Sequence, residues 1–115
     1  MRSLVVSALE ELGAPVHITE AASGFEALRE LPREVYDLIV TDINMPDING
    51  LELVSFVKSN AAYREIPLLI ISTEGSERDR LKGLELGADA YLVKPFDPET
   101  LRRTARELLA KAPEG

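Results

Sequence analysis

Three apolar segments of the sequence each lead directly into side chains that can take part in chemistry. A carboxylate follows the first segment, hydroxyls follow the second, and an ammonium group follows the third. A carboxylate is a nucleophile, a hydroxyl donates hydrogen bonds, and an ammonium group stabilises developing negative charge, so the set suits phosphoryl transfer. In chain order the residues are Thr41 and Asp42 after Leu38–Val40, Ser72, Thr73 and Glu74 after Leu68–Ile71, and Lys94 after Ala90–Val93.

Each of these residues also has an ordinary structural explanation when it is taken alone. Asp42 is a common turn residue, and it precedes Met45 and Pro46. Ser72 fits a hydrogen-bonded hydroxyl at a strand end, and Lys94 fits a solvated lysine. Ligands of open parallel sheets bind at the carboxyl ends of the strands. The occurrence of all three at consecutive strand ends therefore predicts a shared site.

Length and composition exclude several other classes of site. The 115 residues predict one domain over 1–115, and the formal net charge of −7 argues against nucleic-acid binding. The absence of cysteine excludes disulfides, thiolate metal sites and cysteine nucleophiles, and His17 is the only histidine. No apolar run approaches the roughly 20 residues of a membrane span. The N-terminus is typical of a helix rather than a signal peptide, so we expect a cytoplasmic protein without membrane contact.

The elements that position these residues alternate along the chain, which predicts an α/β fold with a parallel sheet. Four segments have strand patterns and five have helix patterns, and the chain opens with a helix. The predicted strands are Val16–Glu20, Leu38–Val40, Leu68–Ile71 and Ala90–Val93. Each predicted helix has one apolar face that is expected to point inward. In chain order these faces are Leu4 to Leu12, then Ala27, Leu28 and Leu31, then Leu51 to Val57 within Gly50–Lys58, then Leu81 and Leu84 before Gly87, and last Leu101, Ala105, Leu108 and Leu109. Ser23 is the predicted cap of the second helix and Asp97 that of the last.

Four stretches of this sequence together resemble response-regulator receiver domains, over essentially the whole chain. The likeness is greatest to stand-alone, chemotaxis-type receivers, whose fold is a flavodoxin-like, doubly wound parallel sheet. The stretches are Asp42-Ile43-Asn44-Met45-Pro46 with Asn49-Gly50 for the phosphoacceptor loop, 66–74 for the fourth strand, 87–96 for the last strand and its lysine–proline turn, and 24–28 for the start of the second helix.

The resemblance implies a role for each matching residue in a phosphorelay. Asp42 would accept a phosphoryl group from a histidine kinase or a small phosphodonor, Lys94 would pair with the phosphoryl oxygens, and Ser72 and Thr73 would act as the hydroxyl switch. Tyr91 would be the aromatic side chain whose rotamer changes with the position of Ser72. The last two helices would bind a downstream protein. Lys94–Pro95 would be a cis peptide. The carboxylate of Asp42 and the backbone carbonyl of Asn44 would bind Mg²⁺. Such a protein is no enzyme beyond its own phosphotransfer and dephosphorylation.

One departure from the family pattern concerns the metal. Receivers begin with an apolar strand that ends in an acidic pair, and we expect this first, central strand and its pair to be absent from the chain. Mg²⁺ binding would then be weak or absent, because Glu20 and Glu74 are better explained as solvated acids. A homodimer would compensate for the missing strand.

Other functions remain open at this point. A receiver-like interaction module would use the surface without phosphoryl chemistry. An aspartate-based phosphatase of the haloacid dehalogenase type needs a second acid two residues after the nucleophile, where this chain has Asn44. A flavin binder has few rings to use among three Tyr, three Phe and no Trp. Arg102, Arg103, Arg106 and Lys111 suggest either a partner patch or a solvated helix face.

Overall fold

The computed structural model describes residues 2–11, 17–42, 47, 49–72, 77–94 and 96–111, and in it strands alternate with helices from Ile39 onward, after two helices in the first part of the chain. This order confirms the α/β class. None of the helices in the described part of the chain is long and apolar enough to cross a membrane. The helices are α1 (Arg2–Glu10), α2 (Gly24–Glu30), α3 (Gly50–Ser59), α4 (Glu77–Glu85) and α5 (Pro98–Lys111), a 3-10 turn covers Leu31–Arg33, and the strands are β1 (Ile39–Asp42), β2 (Leu68–Ser72) and β3 (Ala90–Val93).

The described strands form one parallel sheet in the order β1-β2-β3, with a helical layer on each face. Every residue of β2 is buried, because β2 lies in the middle of the sheet and is covered on both sides. Alternate β2 residues belong to two separate apolar cores. One core contains Leu31, Leu53, Val54, Val57, Leu68, Ile70 and Ala88, and the other contains Ala8, Leu69, Ile71, Leu101 and Leu108.

The prediction of a strand at Val16–Glu20 is wrong for its described part, residues 17–20, which belong to no strand. Val16 lies outside the described residues. Alternating apolar and polar residues form a strand only when a neighbouring strand takes up their backbone hydrogen bonds. The side chains of this segment instead contact Glu34, with 3.6 Å between His17 Nε2 and Glu34 Oε1 and 3.4 Å between Thr19 Oγ1 and Glu34 Oε2.

The other strands lie close to their predicted positions, but their burial differs. All residues of β2 are buried, whereas those of β1 and β3 are mostly half-buried. A strand with one described neighbour is less covered than a central strand. β1 also extends further than predicted, so that Asp42 is its last residue rather than the residue after it. Ser72 is likewise the last residue of β2.

Helix α4 packs on the sheet through a glycine rather than through the predicted leucine face. Leu81 is 54% exposed and Leu84 is half-buried, whereas Gly83 is buried. A Cβ atom on Gly83 would lie 2.6 Å from Ile70 Cδ1, so the helix approaches the sheet more closely there than any side chain allows. The close contact at Gly83 turns Leu81 outward, which corrects the prediction that Leu81 is buried.

The predicted caps and the buried face of the last helix are confirmed. Ser23 Oγ accepts a hydrogen bond from Glu26 N at 3.2 Å, and Asp97 Oδ1 accepts one from Glu99 N at 3.2 Å. Such caps satisfy helix N–H groups that have no partner within the helix. Of the predicted α5 face, Leu101, Ala105 and Leu108 are buried and Leu109 is half-buried.

Arg102 links the last helix to the first one. Its Nη1 lies 2.9 Å from Glu11 Oε2, next to α1, and its Nη2 lies 2.7 Å from Glu99 Oε2. The hydrogen bond from Arg102, together with its positive charge, lowers the pKa of Glu99 below its ordinary value. A carboxylate with a lowered pKa stabilises the fold above its ordinary pKa, and this contribution is lost as the pH falls through the lowered value. The contribution is small because Glu99 is exposed.

At the amino end of the sheet, Lys58 joins three parts of the chain. Its Nζ donates to the carbonyl oxygens of Arg64 at 3.1 Å and Ile66 at 2.8 Å, and to Asp89 Oδ2 at 3.0 Å. The same Asp89 oxygen accepts from Leu68 N at 2.8 Å, at the first residue of β2. The stem of Lys58 covers Gly87, whose φ of +114° favours glycine. This group of contacts fixes where β2 and β3 begin.

The substitution Lys58→Met should lower the free energy of unfolding by about 1–3 kcal/mol, because it keeps the aliphatic stem but leaves two carbonyl groups without their donor. Urea denaturation measures the change. The matched control is Lys82→Met, which removes an exposed ammonium group from α4. Equal midpoints for the two variants would contradict the role given to Lys58.

Candidate functional site

The strand register brings the predicted site residues to neighbouring positions at one edge of the sheet. Asp42 lies opposite Ile71, and Ser72 lies opposite Val93. Lys94 follows β3 directly, and its N–H donates to the carbonyl oxygen of Ser72 at 2.7 Å. With strands about 4.8 Å apart and about 3.3 Å of rise per residue, the Cα atoms of Asp42 and Ser72 are about 6 Å apart. The carboxylate, the hydroxyl and the ammonium group thus come from adjacent strand ends.

The same register divides these residues between the two faces of the sheet. Side chains of paired residues in a parallel sheet share a face, and successive residues alternate. Asp42 therefore shares a face with Ile71, which belongs to the core beneath α1 and α5. Ser72 lies on the opposite face with Tyr91, which packs against the core beneath α2 and α3. This arrangement places the predicted hydroxyl switch and its aromatic partner on one side of the sheet.

The site lies at the boundary between the core and the surface. Ser72 is 1% exposed and Thr41 is 6% exposed, whereas Asp42 and Lys94 are half-buried. Thr41 Oγ1 donates to the carbonyl oxygen of Asp42 at 3.2 Å, so the buried Thr41 hydroxyl has a hydrogen-bond acceptor at the end of β1. A half-buried carboxylate keeps a path to an incoming reactant while its backbone is fixed by the sheet.

Tyr91 is directed into the protein. Its side chain is half-buried among the residues that pack beneath α4, and a Cβ atom on Gly83 would lie 3.9 Å from its Cδ2. Its hydroxyl is one of two buried polar side-chain atoms that have no hydrogen-bond partner within the described residues, the other being that of Tyr36. A buried hydroxyl without a partner destabilises the conformation that holds it. The inward position of Tyr91 therefore carries a cost that an outward rotation would remove.

Several of the predicted site residues lie outside the described residues. They are Asn44, Thr73, Glu74 and Pro95, and with Pro95 the predicted cis peptide. Glu20 is described and exposed. Among the described residues, no group of three or more His, Asp or Glu side chains is placed to hold a metal ion. Mg²⁺ usually takes one or two carboxylates in a nearly octahedral set, so the described residues do not form a complete site for it.

Sequence reasoning missed two contacts between distant parts of the chain. Asp47, in the loop after Asp42, accepts hydrogen bonds from the start of α2, and Arg102 joins α5 to the end of α1. Both contacts join residues more than 20 positions apart in the chain, so no local spacing could reveal them. The cap of α3 is local by contrast, since Asn49 Oδ1 accepts a 2.7 Å hydrogen bond from Leu51 N two positions later.

The substitution Tyr91→Phe should raise the free energy of unfolding by about 1 kcal/mol, because it keeps the ring and removes a buried hydroxyl that has no hydrogen-bond partner among the described residues. Thermal and urea denaturation measure the difference. Tyr63→Phe is the control. The buried hydroxyls without a partner among the described residues are those of Tyr36 and Tyr91, so the same change at Tyr63 removes no such group. A loss of stability in Tyr91→Phe would show that the hydroxyl has a favourable interaction.

Comparison with solved structures places this fold among response regulators. The chemotaxis response regulator CheY4 of Vibrio cholerae is 37% identical, with a TM-score of 0.81 over 93% of this chain and 88% of that chain. The receiver domain of the Francisella response regulator 1452 is 30% identical, with a TM-score of 0.84 over 96% and 88%. Three parallel strands with helices on both faces are consistent with the flavodoxin-like fold expected from the sequence.

Comparison with sequences leads to the same group. The chemotaxis protein CheY1 of Helicobacter pylori is 36% identical over 110 residues, which are 95% of this chain and 88% of that protein. The model of the response regulator receiver domain matches residues 1–106. The expectation that the family's first strand is missing is not borne out by this match, which begins at residue 1. By its sequence match and its fold, the chain belongs to the response regulator receiver domain family.

Proposed function

We propose that Asp42 is the phosphoacceptor of this response regulator. The observation that carries the proposal is the register that sets Asp42, Ser72 and Lys94 on neighbouring strand ends. A carboxylate oxygen of Asp42 attacks the phosphorus of a phosphohistidine or an acyl phosphate. The new P–O bond forms as the donor's P–N or P–O bond breaks, and the donor leaves as imidazole, which takes up a proton, or as a carboxylate.

Lys94 and Ser72 have complementary roles in this proposal. The Lys94 ammonium group neutralises charge on the transferred phosphoryl oxygens, as a preorganised cation does in many phosphoryl-transfer sites. The Ser72 hydroxyl reaches the same group over the carboxyl edge of the sheet, where the Cα atoms of Ser72 and Asp42 are about 6 Å apart, and Thr73 assists it. Tyr91 lies on the face of the sheet that carries Ser72, and its side chain then changes rotamer as the Ser72 hydroxyl moves. The Tyr91 hydroxyl is buried without a hydrogen-bond partner among the described residues, which supports such a switch, because an outward rotation would expose the hydroxyl to water.

Mg²⁺ is the cation implied by membership of the family. Asp42 is the described carboxylate placed to take part, and the backbone carbonyl of Asn44 is its proposed companion. This donor set is small for Mg²⁺, so we propose weak binding and assign no chemical step to the metal.

The proposed partners are a histidine kinase, acting as phosphodonor, and a downstream protein that binds the surface of α4, β3 and α5. Two exposed apolar side chains on this surface support the second partner, namely Leu81 at 54% exposure and Val93 at 36%. A contiguous exposed apolar patch marks an interaction surface, and these two side chains would contribute to such a patch. We place the protein in the cytoplasm, where it acts as a phosphoacceptor with at most self-catalysed phosphotransfer and dephosphorylation.

Incubation with acetyl phosphate in magnesium buffer tests the proposal. The wild type should gain one phosphoryl group by intact mass, and Asp42→Asn should show only background, because the amide cannot act as the nucleophile. Asp37→Asn is the matched control, since Asp37 is an exposed aspartate in the turn before β1. Equal incorporation into both variants would refute the assignment. No incorporation into the wild type would favour an interaction module without phosphoryl chemistry.

We also propose that the chain forms a homodimer through its sheet. Within the described residues, β1 is an edge strand of the sheet β1-β2-β3, and a sheet edge is a place where a second copy can add a strand. Light scattering over a range of micromolar concentrations should show the mass of two chains. A monomer mass throughout this range would exclude the dimer.

A further inference from the structure

The start of α2 is held by a residue from another part of the chain. Gly24 N donates to Asp47 Oδ1 at 2.9 Å, and Phe25 N donates to Asp47 Oδ2 at 2.8 Å. Both carboxylate oxygens are therefore used on two successive backbone amides. Asp47 lies 22 to 23 positions further along the chain, in the loop that leaves Asp42.

The hydrogen bonds at this helix terminus form a complete set. The first N–H groups of a helix have no partner within it. Asp47 accepts from Gly24 and Phe25, the Ser23 hydroxyl accepts from Glu26 N at 3.2 Å, and the Ser23 carbonyl accepts from Ala27 N at 3.0 Å. Ser23 is the local cap and Asp47 is a remote one. The two caps satisfy different groups, so neither replaces the other.

The loop after Asp42 is thus attached to two helices. Asp47 binds the start of α2, and two residues later Asn49 caps α3 through Leu51 N. Four residues separate Asp42 from Asp47. Five residue steps span at most about 18 Å when fully extended, so the Asp47 contact limits where the chain beyond Asp42 can go.

We propose that Asp47 is a positioning residue for phosphorylation, an inference that rests on the proposed role of Asp42. By binding α2, the Asp47 carboxylate anchors the chain five residues after Asp42, and this anchor orients the Asp42 carboxylate. The coupling is reciprocal, as linkage requires. A phosphoryl group on Asp42 changes the contact at Gly24 and Phe25, and a change in α2 alters the reactivity of Asp42.

This role differs from that of an ordinary helix cap in its effect on rate. Loss of a cap weakens α2, whether the cap is Ser23 or Asp47. Loss of Asp47 also removes an attachment of the chain five residues after Asp42, and small misplacements of a reacting group reduce rates by up to about 100-fold. Ser23 is therefore the matched control, because it caps the same helix without belonging to the loop.

The experiment compares the wild type with Asp47→Ala, Asp47→Asn and Ser23→Ala. The measured quantities are the rate constant for phosphorylation by acetyl phosphate and the thermal unfolding midpoint. We expect Asp47→Ala to lower the rate constant about 10-fold or more and Ser23→Ala to leave it within about twofold, although both lower the midpoint. Asp47→Asn should have an intermediate rate, because its amide oxygen can still accept one of the two hydrogen bonds. If Asp47→Ala does not fold, Asp47→Asn carries the comparison.

A second measurement follows the contact itself. The amide resonances of Gly24 and Phe25 should shift when beryllofluoride, a phosphoryl mimic, is added to the wild type, and should not respond in Asp47→Ala. Equal phosphorylation rates for the Asp47 variants and the wild type would overturn the inference while leaving Asp42 as phosphoacceptor. A parallel loss in Ser23→Ala would also overturn it, since a capping effect would then suffice. No phosphorylation of the wild type would refute the proposed function, and this inference with it.

Discussion

The pairing of β2 on both edges is the constraint on which the rest of the structure depends. All five residues of this strand are buried, so its backbone N–H and C=O groups must find partners in the neighbouring strands rather than in water. Each parallel neighbour then has one register, because a slip by one residue would exchange the side chains of the two cores. Once the register is set, the last residues of β1 and β2 and the first residue after β3 are neighbours. The burial of β2 thus sets the geometry of the candidate site, although β2 supplies only the Ser72 side chain to it.

Most of this arrangement could be predicted from local sequence. The apolar run Leu68–Ile71 identifies the central strand, Ser23 and Asp97 identify helix starts, and the alternation of patterns gives the fold class. Two predictions failed for reasons that no local pattern contains. Residues 17–20 alternate like a strand but have no described strand beside them, and Leu81 has the spacing of a core residue but is displaced by the approach of Gly83. The contact of Asp47 with α2 is equally invisible in sequence, because backbone N–H groups can donate to any carboxylate that lies nearby.

The two ends of the sheet have different tasks. At the amino end, the Lys58 ammonium group has three acceptors, and one of them, Asp89, also binds the first residue of β2. At the carboxyl end lie the carboxylate, hydroxyl and ammonium groups that suit phosphoryl transfer. The strands are therefore anchored where no chemistry takes place. This separation lets the strand ends that carry the site change their hydrogen bonds without loosening the attachment of the strands themselves.

The manner in which α4 packs has a consequence for the motions of the molecule. Among its described side chains, Arg78, Arg80, Leu81, Lys82 and Glu85 are exposed, and its close contact with the sheet is made by Gly83, which has no side chain to interlock with its neighbours. Among the described side chains of α4, Leu84 is the one apolar group that is even half-buried, so the helix itself adds little apolar surface to the core. The free energy needed for local opening follows the buried apolar area of each element. Backbone amides of α4 would then exchange with deuterated solvent through local opening, whereas those of β2 would exchange only when the whole domain unfolds.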